Sequence, residues 1–189
     1  MERDLVERAK AGDHEAFSEL ARVAVGRLYT VARLILRDDA RAEDATQEAL
    51  VAAWTRLAGL RDPDRFEAWL HRLLINACYR EAGRDRRRRS FEVHVDPIAM
   101  PEASRADLDV ASDLAARDQL ERGFRRLDFD QRAVLVMHYF LGFSLDEAAV
   151  VLAVPPGTVR SRLHRAIAAM RAALEADSRT PVLDGGRPA

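Results

Sequence analysis

The sequence of 189 residues predicts an all-α protein with two small helical domains joined by an acidic linker. Ala, Leu, Arg and Glu are abundant while aromatic residues make up only 6% of the chain, a composition that favours helices. Apolar residues recur at helical spacing in two blocks, and this pattern fades between them, where prolines and acids accumulate. We therefore place two domains at 1–89 and 112–177, a linker at 90–111 and a flexible tail at 178–189.

The N-terminal domain is predicted to contain three amphipathic helices, at residues 13–36, 40–57 and 64–82. Asp38 and Asp39 interrupt the first apolar stripe and can cap the second helix. A loop follows at 58–63. Asp64 and Glu67 then have the spacing of a capping box, which predicts the start of the third helix.

The C-terminal domain is predicted to resume helical structure near residue 112 and again at 130–141, followed by a helix-turn-helix at 144–166. Ser144 and Glu147 form a capping box, and Pro156 fits the first turn of the second helix. That second helix has an apolar stripe and, opposite it, a short polar and cationic face, formed by Thr158, Arg160, Ser161, Arg162, His164 and Arg165. Such a face suits a reader of the DNA major groove, and the alternative is an ordinary solvated basic helix.

The net charge of −1 hides a strongly uneven distribution. Residues 80–89 carry six arginines and two acids, whereas residues 90–118 carry seven acids and two arginines. Two basic regions separated by an acidic connector indicate a protein that contacts a polyanion at two places.

Two further patterns lie in the N-terminal domain. Asp44, Gln47, Glu48 and Val51 share one face of the second helix, which could equally be a solvated acidic face. The third helix carries a stripe beside its buried face, formed by Arg65, Trp69, Arg72, Asn76 and Arg80. Cations alternating with an aromatic ring and an amide suit single-stranded nucleic acid, although Trp69 alone could be a core residue.

Enzymatic and metal-binding functions have no support in the sequence, so we expect no catalytic residue, cofactor or metal. No nucleophile triad, phosphate-binding glycine loop or metal-ligand spacing occurs. Cys78 is the single cysteine, which excludes an internal disulfide and fits a reducing cytoplasm, and we interpret it as a small core residue. No apolar run is long enough to cross a membrane.

Three segments in order resemble a bacterial RNA polymerase sigma factor of the extracytoplasmic-function group of the sigma-70 family. They are AEDATQEALVAAW (42–54), RFEAWLHRLLINACYR (65–80) and, after the acidic linker, GFSLDEAAVVLAVPPGTVRSRLHRA (142–166). The resemblance implies a cytoplasmic specificity subunit that directs core RNA polymerase to promoters, recognises −10 and −35 elements and helps melt the −10 region. The alternative from another class is a helix-turn-helix regulator that acts alone as a dimer.

The resemblance also implies residue roles. The clamp helices of the largest polymerase subunit would bind a face formed by Asp44, Gln47, Glu48 and Val51. The −10 element would be read and held by Leu60, Arg61, Arg65, Arg72, Asn76 and Arg80. Upstream phosphates would be held by Arg84, Arg86, Arg87 and Arg88. The −35 element would be read by Thr158, Arg160, Ser161, Arg162, His164 and Arg165.

Further partners follow from the same resemblance. The C-terminal domain would also meet the flap region of the polymerase, the linker would thread toward the active-site cleft, and an anti-sigma factor would regulate the protein. Three positions depart from the family pattern: Leu60 stands where an aromatic is frequent, Asp128 replaces a proline, and Ala153 replaces the turn glycine. Since alanine lacks easy access to positive φ, we expect a slightly different turn at Ala153.

Overall fold

The computed structural model describes residues 2–89 and 120–178, and within these ranges all regular structure is helical. The predicted linker at 90–111, the first residues of the predicted C-terminal domain and all but the first residue of the predicted tail lie outside the described residues. The all-α prediction is confirmed, and the described helices form two domains that correspond to the two apolar blocks of the sequence.

The N-terminal domain contains four helices: α1 (Glu2–Lys10), α2 (His14–Leu36), α3 (Asp39–Arg56) and α4 (Phe66–Arg89). Two short 3₁₀ turns, Leu57–Gly59 and Pro63–Arg65, connect α3 to α4. Helix α1 was not predicted, because its short charged sequence buries only Val6 and Ala9. Helix α4 extends seven residues beyond its predicted end, since arginine favours helices and the basic run contains no proline.

The N-terminal helix starts are fixed by aspartate caps. Asp13 accepts hydrogen bonds from the backbone N–H groups at positions 15 and 16, and Asp38 accepts one from position 41. The predicted capping box of Asp64 and Glu67 is wrong. Asp62 caps the turn before α4 instead, because Pro63 already occupies its first position, and Asp64 and Glu67 form surface ion pairs with arginines.

Small side chains set the distance between helices in the N-terminal core. One face of α3 buries four alanines completely, at positions 42, 45, 49 and 53. Alanine has no side chain beyond Cβ, so α2 and α4 can both pack closely against α3. Larger residues fill the remaining space, among them Leu28, Ile35, Leu57, Leu74 and Ile75.

The C-terminal domain contains α5 (residues 120–125), α6 (Phe129–Leu135), α7 (Leu145–Leu152) and α8 (Pro156–Ser178). Asp128 caps α6 through a capping box with Gln131, which supplies the helix start where the family pattern has proline. The predicted helix at 130–141 is interrupted: α6 continues as a π-helical turn, Val136–Phe140, before the chain turns into α7.

The predicted helix-turn-helix is confirmed in α7 and α8. The backbone N–H of Glu147 donates to Ser144 Oγ at 3.2 Å, and the backbone N–H of Ser144 donates to Glu147 Oε2 at 2.9 Å. Helix α7 ends at Ala153, whose φ of 51° and ψ of 44° lie in the left-handed region. The alanine therefore adopts the conformation that glycine favours, at a cost of about 1–2 kcal/mol.

The two domains pack directly against each other, with α6 and α7 on α2 and α4. Arg132 Nε donates to the backbone carbonyl of Ile35 at 2.8 Å. Tyr79 Oη donates to Asp130 Oδ1 at 2.8 Å, and the rings of Tyr79 and Phe129 meet edge to face with centroids 4.7 Å apart. The sequence did not predict this contact, which we call the domain interface.

Replacing Ala153 by glycine should stabilise the protein. The Ala153→Gly variant removes the left-handed strain, and the greater freedom of glycine in the unfolded chain offsets part of the gain. We expect a net increase of about 0.5–1 kcal/mol in the free energy of unfolding, measured by urea titration. The control Ala68→Gly, at an exposed right-handed position of α4, should lose about 1 kcal/mol. Equal losses in both variants would contradict the strain at Ala153.

Candidate nucleic-acid interface

The outer face of α8 presents a short polar and cationic surface. Arg160, Ser161, His164 and Arg165 are exposed, and Thr158 beside them is half-buried. Ser161 Oγ donates to the backbone carbonyl of Thr158 at 2.9 Å, and Arg165 Nε donates to that of Ser161 at 3.2 Å. Because the Ser161 hydroxyl bonds to its own helix, it does not project from the surface, and a nucleic acid can approach the neighbouring arginines closely. We call these five residues the α8 face.

Arg162 does not belong to the α8 face, although the sequence analysis grouped it with these residues. Its side chain is only 20% exposed, and Nη2 lies 3.0 Å from Asp130 Oδ2. Asp130 also accepts the hydrogen bond from Tyr79 across the domain interface. In this conformation Arg162 is therefore committed to an internal ion pair, and it reaches a DNA backbone only if that pair opens.

Four polar residues of α4 and the preceding turn lie exposed along one side: Arg65, Arg72, Asn76 and Arg80. We call them the α4 stripe. Trp69 is half-buried and packs against the core, with its ring centroid 6.1 Å from that of Phe66. The indole is thus anchored on one side by the bundle. The structure brings together the cations and the amide that the sequence grouped on this helix.

The loop before α4 divides its two predicted DNA residues. Arg61 is exposed, but the side chain of Leu60 is buried, with only 8% of its surface exposed. The hydrophobic effect explains this placement, since leucine fills the corner between the two 3₁₀ turns where an aromatic base contact was implied. The Leu60 side chain therefore anchors the loop from inside, and its predicted contact with the −10 element stays a prediction.

The outer face of α3 is mostly open to solvent. Asp44 and Gln47 are exposed, and so is Val51, which leaves 64% of an apolar side chain in water. A single exposed valine is common on protein surfaces and does not by itself mark a contact. We call Asp44, Gln47 and Val51 the α3 face.

Glu48 is different from its neighbours because it lies between α3 and α4. Its Oε1 atom accepts a hydrogen bond from Arg80 Nε at 2.7 Å, and its Oε2 atom lies 3.7 Å from Arg84 Nη1. Arg84 also pairs with Glu81, which is buried. One carboxylate predicted to bind polymerase thus contacts two arginines predicted to bind DNA.

The sequence did not identify Glu81 as part of this network. Its signal was weak: an acid in a run of six arginines, three residues before Arg84 on the same helix. Helix α4 continues through the rest of the basic run, but the structure does not describe the side chains of Arg86, Arg87 and Arg88. Their predicted phosphate contacts stay a prediction.

Comparisons with known proteins match both helical domains of the chain to one family. A family model for sigma-70 region 2 matches residues 20–89, and one for sigma-70 region 4 matches residues 117–170. The RNA polymerase sigma factor CnrH of Cupriavidus metallidurans is 35% identical, with 94% of this chain and 96% of that protein covered.

The chain belongs to the extracytoplasmic-function sigma factors.

Other relatives support this assignment. The RNA polymerase sigma-H factor of Pseudomonas aeruginosa is 32% identical over 92% of this chain and 94% of its own length. Among solved structures, RpoE of Bartonella quintana, in complex with the anti-sigma factor NepR, superposes with a TM-score of 0.65 at 25% identity, covering 85% of this chain and 98% of its own.

As a sigma factor, the chain serves promoter-specific transcription initiation together with core RNA polymerase. Its α4 stripe lies within the region 2 match and its α8 face within the region 4 match. A regulator acting alone is not favoured, because the region 2 match accounts for most of the N-terminal domain.

Electrostatics link the two halves of this sigma factor. Hydrogen bonds from Ser144 lower the pKa of Glu147, and the positive charges of Arg65 and Arg72 lower it further. The acidic start of α7 therefore lies within electrostatic range of the α4 stripe.

The described residues offer no reactive thiol and no metal-binding cluster. Cys78 is fully buried, as the sequence predicted, and burial raises the pKa of its thiol to about 12. Among residues 2–89 and 120–178, no cluster of His, Cys, Asp and Glu could hold a metal ion. None of the helices within these ranges is long and apolar enough to span a membrane.

Proposed function

We propose that this sigma factor divides its work between three surfaces. The α3 face docks on the clamp helices of the largest polymerase subunit. The α4 stripe with Arg61 binds the melted −10 element, and the α8 face reads the −35 element. The observation that carries the proposal is that two exposed cationic faces lie on separate helical domains. The domains at 1–89 and 112–177, joined by the linker at 90–111, are proposed as the functional units.

Exposure and charge support the polymerase contact at α3. Asp44 is exposed, and Val51, seven residues or about two helical turns further along, offers an apolar surface. A carboxylate can pair with a basic group on a partner while the valine loses water, a combination typical of protein interfaces. Glu48 holds Arg80 and Arg84 in the free protein. If Glu48 binds polymerase, it therefore leaves Arg80 and Arg84 and pairs with basic groups of the polymerase instead.

The α4 stripe has the chemistry that a single strand requires. Arginines bind phosphates, and the Asn76 amide can both donate and accept hydrogen bonds at a base edge. Unstacking a base costs a few kcal/mol, and a site that bonds the extruded base offsets part of that cost. We therefore assign Asn76 to holding a −10 base and Arg61, Arg65, Arg72 and Arg80 to the surrounding phosphates.

The α8 face has the size and charge of a major-groove reader. Arg160 and Arg165 can bond guanine edges or phosphates, while Ser161 and His164 contribute shorter polar contacts. Arg160 lies 3.6 Å from Asp146, but both side chains are exposed, and an ion pair of this kind is readily given up to a phosphate.

Further partners are proposed on the same basis. We infer an anti-sigma factor as regulator, because two similar solved structures are complexes, one with an anti-sigma factor and one with a cytosolic partner domain. One is RpoE with NepR, and the other is CnrH with the cytosolic domain of CnrY, at a TM-score of 0.59 and 32% identity over 93% of this chain and 98% of that one. The flap region of the polymerase is the proposed partner of the C-terminal domain, and the cytoplasm is the proposed site of action. We propose no catalytic residue, metal or cofactor.

Charge reversal on the α3 face should weaken polymerase binding. We expect Asp44→Lys to reduce the affinity for core polymerase at least tenfold, since like charges opposed across an interface repel. Glu43→Lys is the matched control, because residue 43 is also exposed but points about 100° away around the helix. Affinity is measured by titrating labelled core enzyme, and circular dichroism checks the fold. Equal effects of the two reversals would contradict the assignment.

Truncation on the α8 face should weaken −35 recognition. Arg165→Ala should reduce holoenzyme affinity for promoter DNA by about 1–3 kcal/mol. Arg171→Ala, an exposed arginine about two helical turns beyond His164 along α8, serves as the control and should change little. Binding is measured on duplexes with intact and scrambled −35 elements. If Arg165→Ala weakened both duplexes equally, the arginine would contact only phosphate and carry no sequence information.

Truncation of Asn76 should separate melting from docking. Asn76→Ala should leave polymerase binding intact and impair open-complex formation on duplex DNA, with partial rescue on a template already melted at −10. Permanganate reactivity of unpaired thymines measures opening on both templates. Equal losses on the two templates, or no loss on either, would assign Asn76 to the helix surface alone.

A further inference from the structure

Helix α1 lies outside the part of the chain that the family match covers. The sigma-70 region 2 match begins at residue 20, so it assigns no role to this helix. The helix nevertheless packs on the N-terminal domain, where Val6 is fully buried, and it contacts α2 and both 3₁₀ turns between α3 and α4. Those turns and the residues between them, 57–65, carry Arg61 and Arg65. We call this segment the −10 loop.

An ion pair connects the exposed side of α1 to the −10 loop. Arg3 Nη1 donates to Asp64 Oδ2 at 2.7 Å, although 61 positions separate the two residues. Asp64 lies in the second 3₁₀ turn, directly before Arg65. Its backbone N–H donates to Asp62 Oδ1 at 3.1 Å. The turn thus holds the backbone of Asp64, while Arg3 holds its carboxylate.

Buried side chains hold the −10 loop on its inner side. Leu57, Leu60 and Pro63 are all buried, and Arg61 lies exposed between the last two. The backbone position of Arg61 is therefore fixed by packing, while its side chain faces solvent. A loop held in this way loses less conformational freedom on binding a ligand than a loose one. Contacts that keep the −10 loop in place should therefore favour DNA binding.

We propose that α1 stabilises the −10 loop and that Arg3 is a positioning residue for −10 recognition, which acts on Arg61 and Arg65 through Asp64. The proposal rests on the proposed function, because the position of the loop matters for transcription only if the loop binds the −10 element. Arg3 acts without contacting DNA. Since the pair of Arg3 and Asp64 is exposed, its effect is modest, and salt weakens it. Its loss should loosen the loop and leave the domain folded.

Hydrogen exchange on the free protein measures how firmly the −10 loop is held. The backbone N–H groups of Leu60 and Arg65 each donate within a turn of the loop, at 2.9 and 3.1 Å. Arg3→Glu places a like charge opposite Asp64 and should raise the exchange rates of both amides about fivefold. Amides in the buried part of α4 should exchange at their wild-type rates, because the fold stays intact.

The functional test uses holoenzyme assembled from core polymerase and the full chain. Two probes are compared: a single strand with the −10 sequence of a promoter that this holoenzyme transcribes, and the same strand scrambled. Arg3→Glu should lower the affinity for the −10 strand about fivefold and reduce the preference over the scrambled strand. Affinities for core polymerase and for a −35 duplex should not change, because the α3 face and the α8 face lie on other helices. Loss of the fold would lower all of these affinities together.

Variants of the same two residues and one matched pair serve as controls. Arg8 Nη2 pairs with Asp13 Oδ2, also at 2.7 Å, at the other end of α1. Arg8→Glu makes the same charge change in a pair that does not involve the −10 loop, so the preference for the −10 strand should stay at its wild-type value. Arg3→Lys keeps a cation opposite Asp64 and should retain most of the affinity. In an Asp64→Asn background, Arg3→Glu should have little further effect, since the partner is gone.

The outcomes separate the role of Arg3 from the proposed function. If Arg3→Glu matched Arg8→Glu in both amide exchange and −10 affinity, the positioning role would be refuted. It would equally be refuted if the loss persisted in the Asp64→Asn background, because Arg3 would then act through another group. If wild-type holoenzyme showed no preference for the −10 strand, the proposed function would fail. The exchange rates would still decide whether α1 stabilises the loop.

Discussion

Asp130 is the carboxylate on which the described arrangement depends. It accepts a hydrogen bond from Tyr79 of the N-terminal domain and pairs with Arg162 of the helix that presents the α8 face. A carboxylate with two such partners fixes both in place, because each bond is charge-assisted and partly shielded from water. The orientation of α8 relative to α4 is thus determined near a single side chain at the start of α6.

Arginine and carboxylate pairs recur wherever two functional surfaces meet. Glu48 joins α3 to Arg80 and Arg84, just as Asp130 joins the two domains. An arginine held in this way loses less conformational freedom on binding than one free in water. Residues proposed to bind polymerase and residues proposed to bind DNA therefore form ion pairs with each other, and changing one alters the electrostatics of the other.

The sequence predicted the parts of this protein that depend on local rules. The aspartate cap at Asp38 and the capping box of Ser144 follow from spacing and backbone hydrogen bonding alone. The α4 stripe was also predicted, since residues three and four apart share a helix face.

Features that depend on tertiary contacts were not predicted. Leu60 lies in a loop, but its side chain is buried by packing. Arg162 was predicted to contact DNA, but its Nη2 atom lies 3.0 Å from Asp130 Oδ2. The bond from Arg132 to Ile35 joins residues that are 97 positions apart, so no local pattern could reveal it.

The π-helical turn at Val136–Phe140 has a consequence for how this domain tolerates changes in chain length. Such a turn holds one residue more than an α-helical turn, so the residues after it are rotated by about 100° relative to an uninterrupted α-helix. Within the turn, Val136 and Met137 are buried, whereas Tyr139 and Phe140 face outward. The outward aromatic pair is thus set by the number of residues in the turn, and a single insertion or deletion there would change the surface more than most substitutions could.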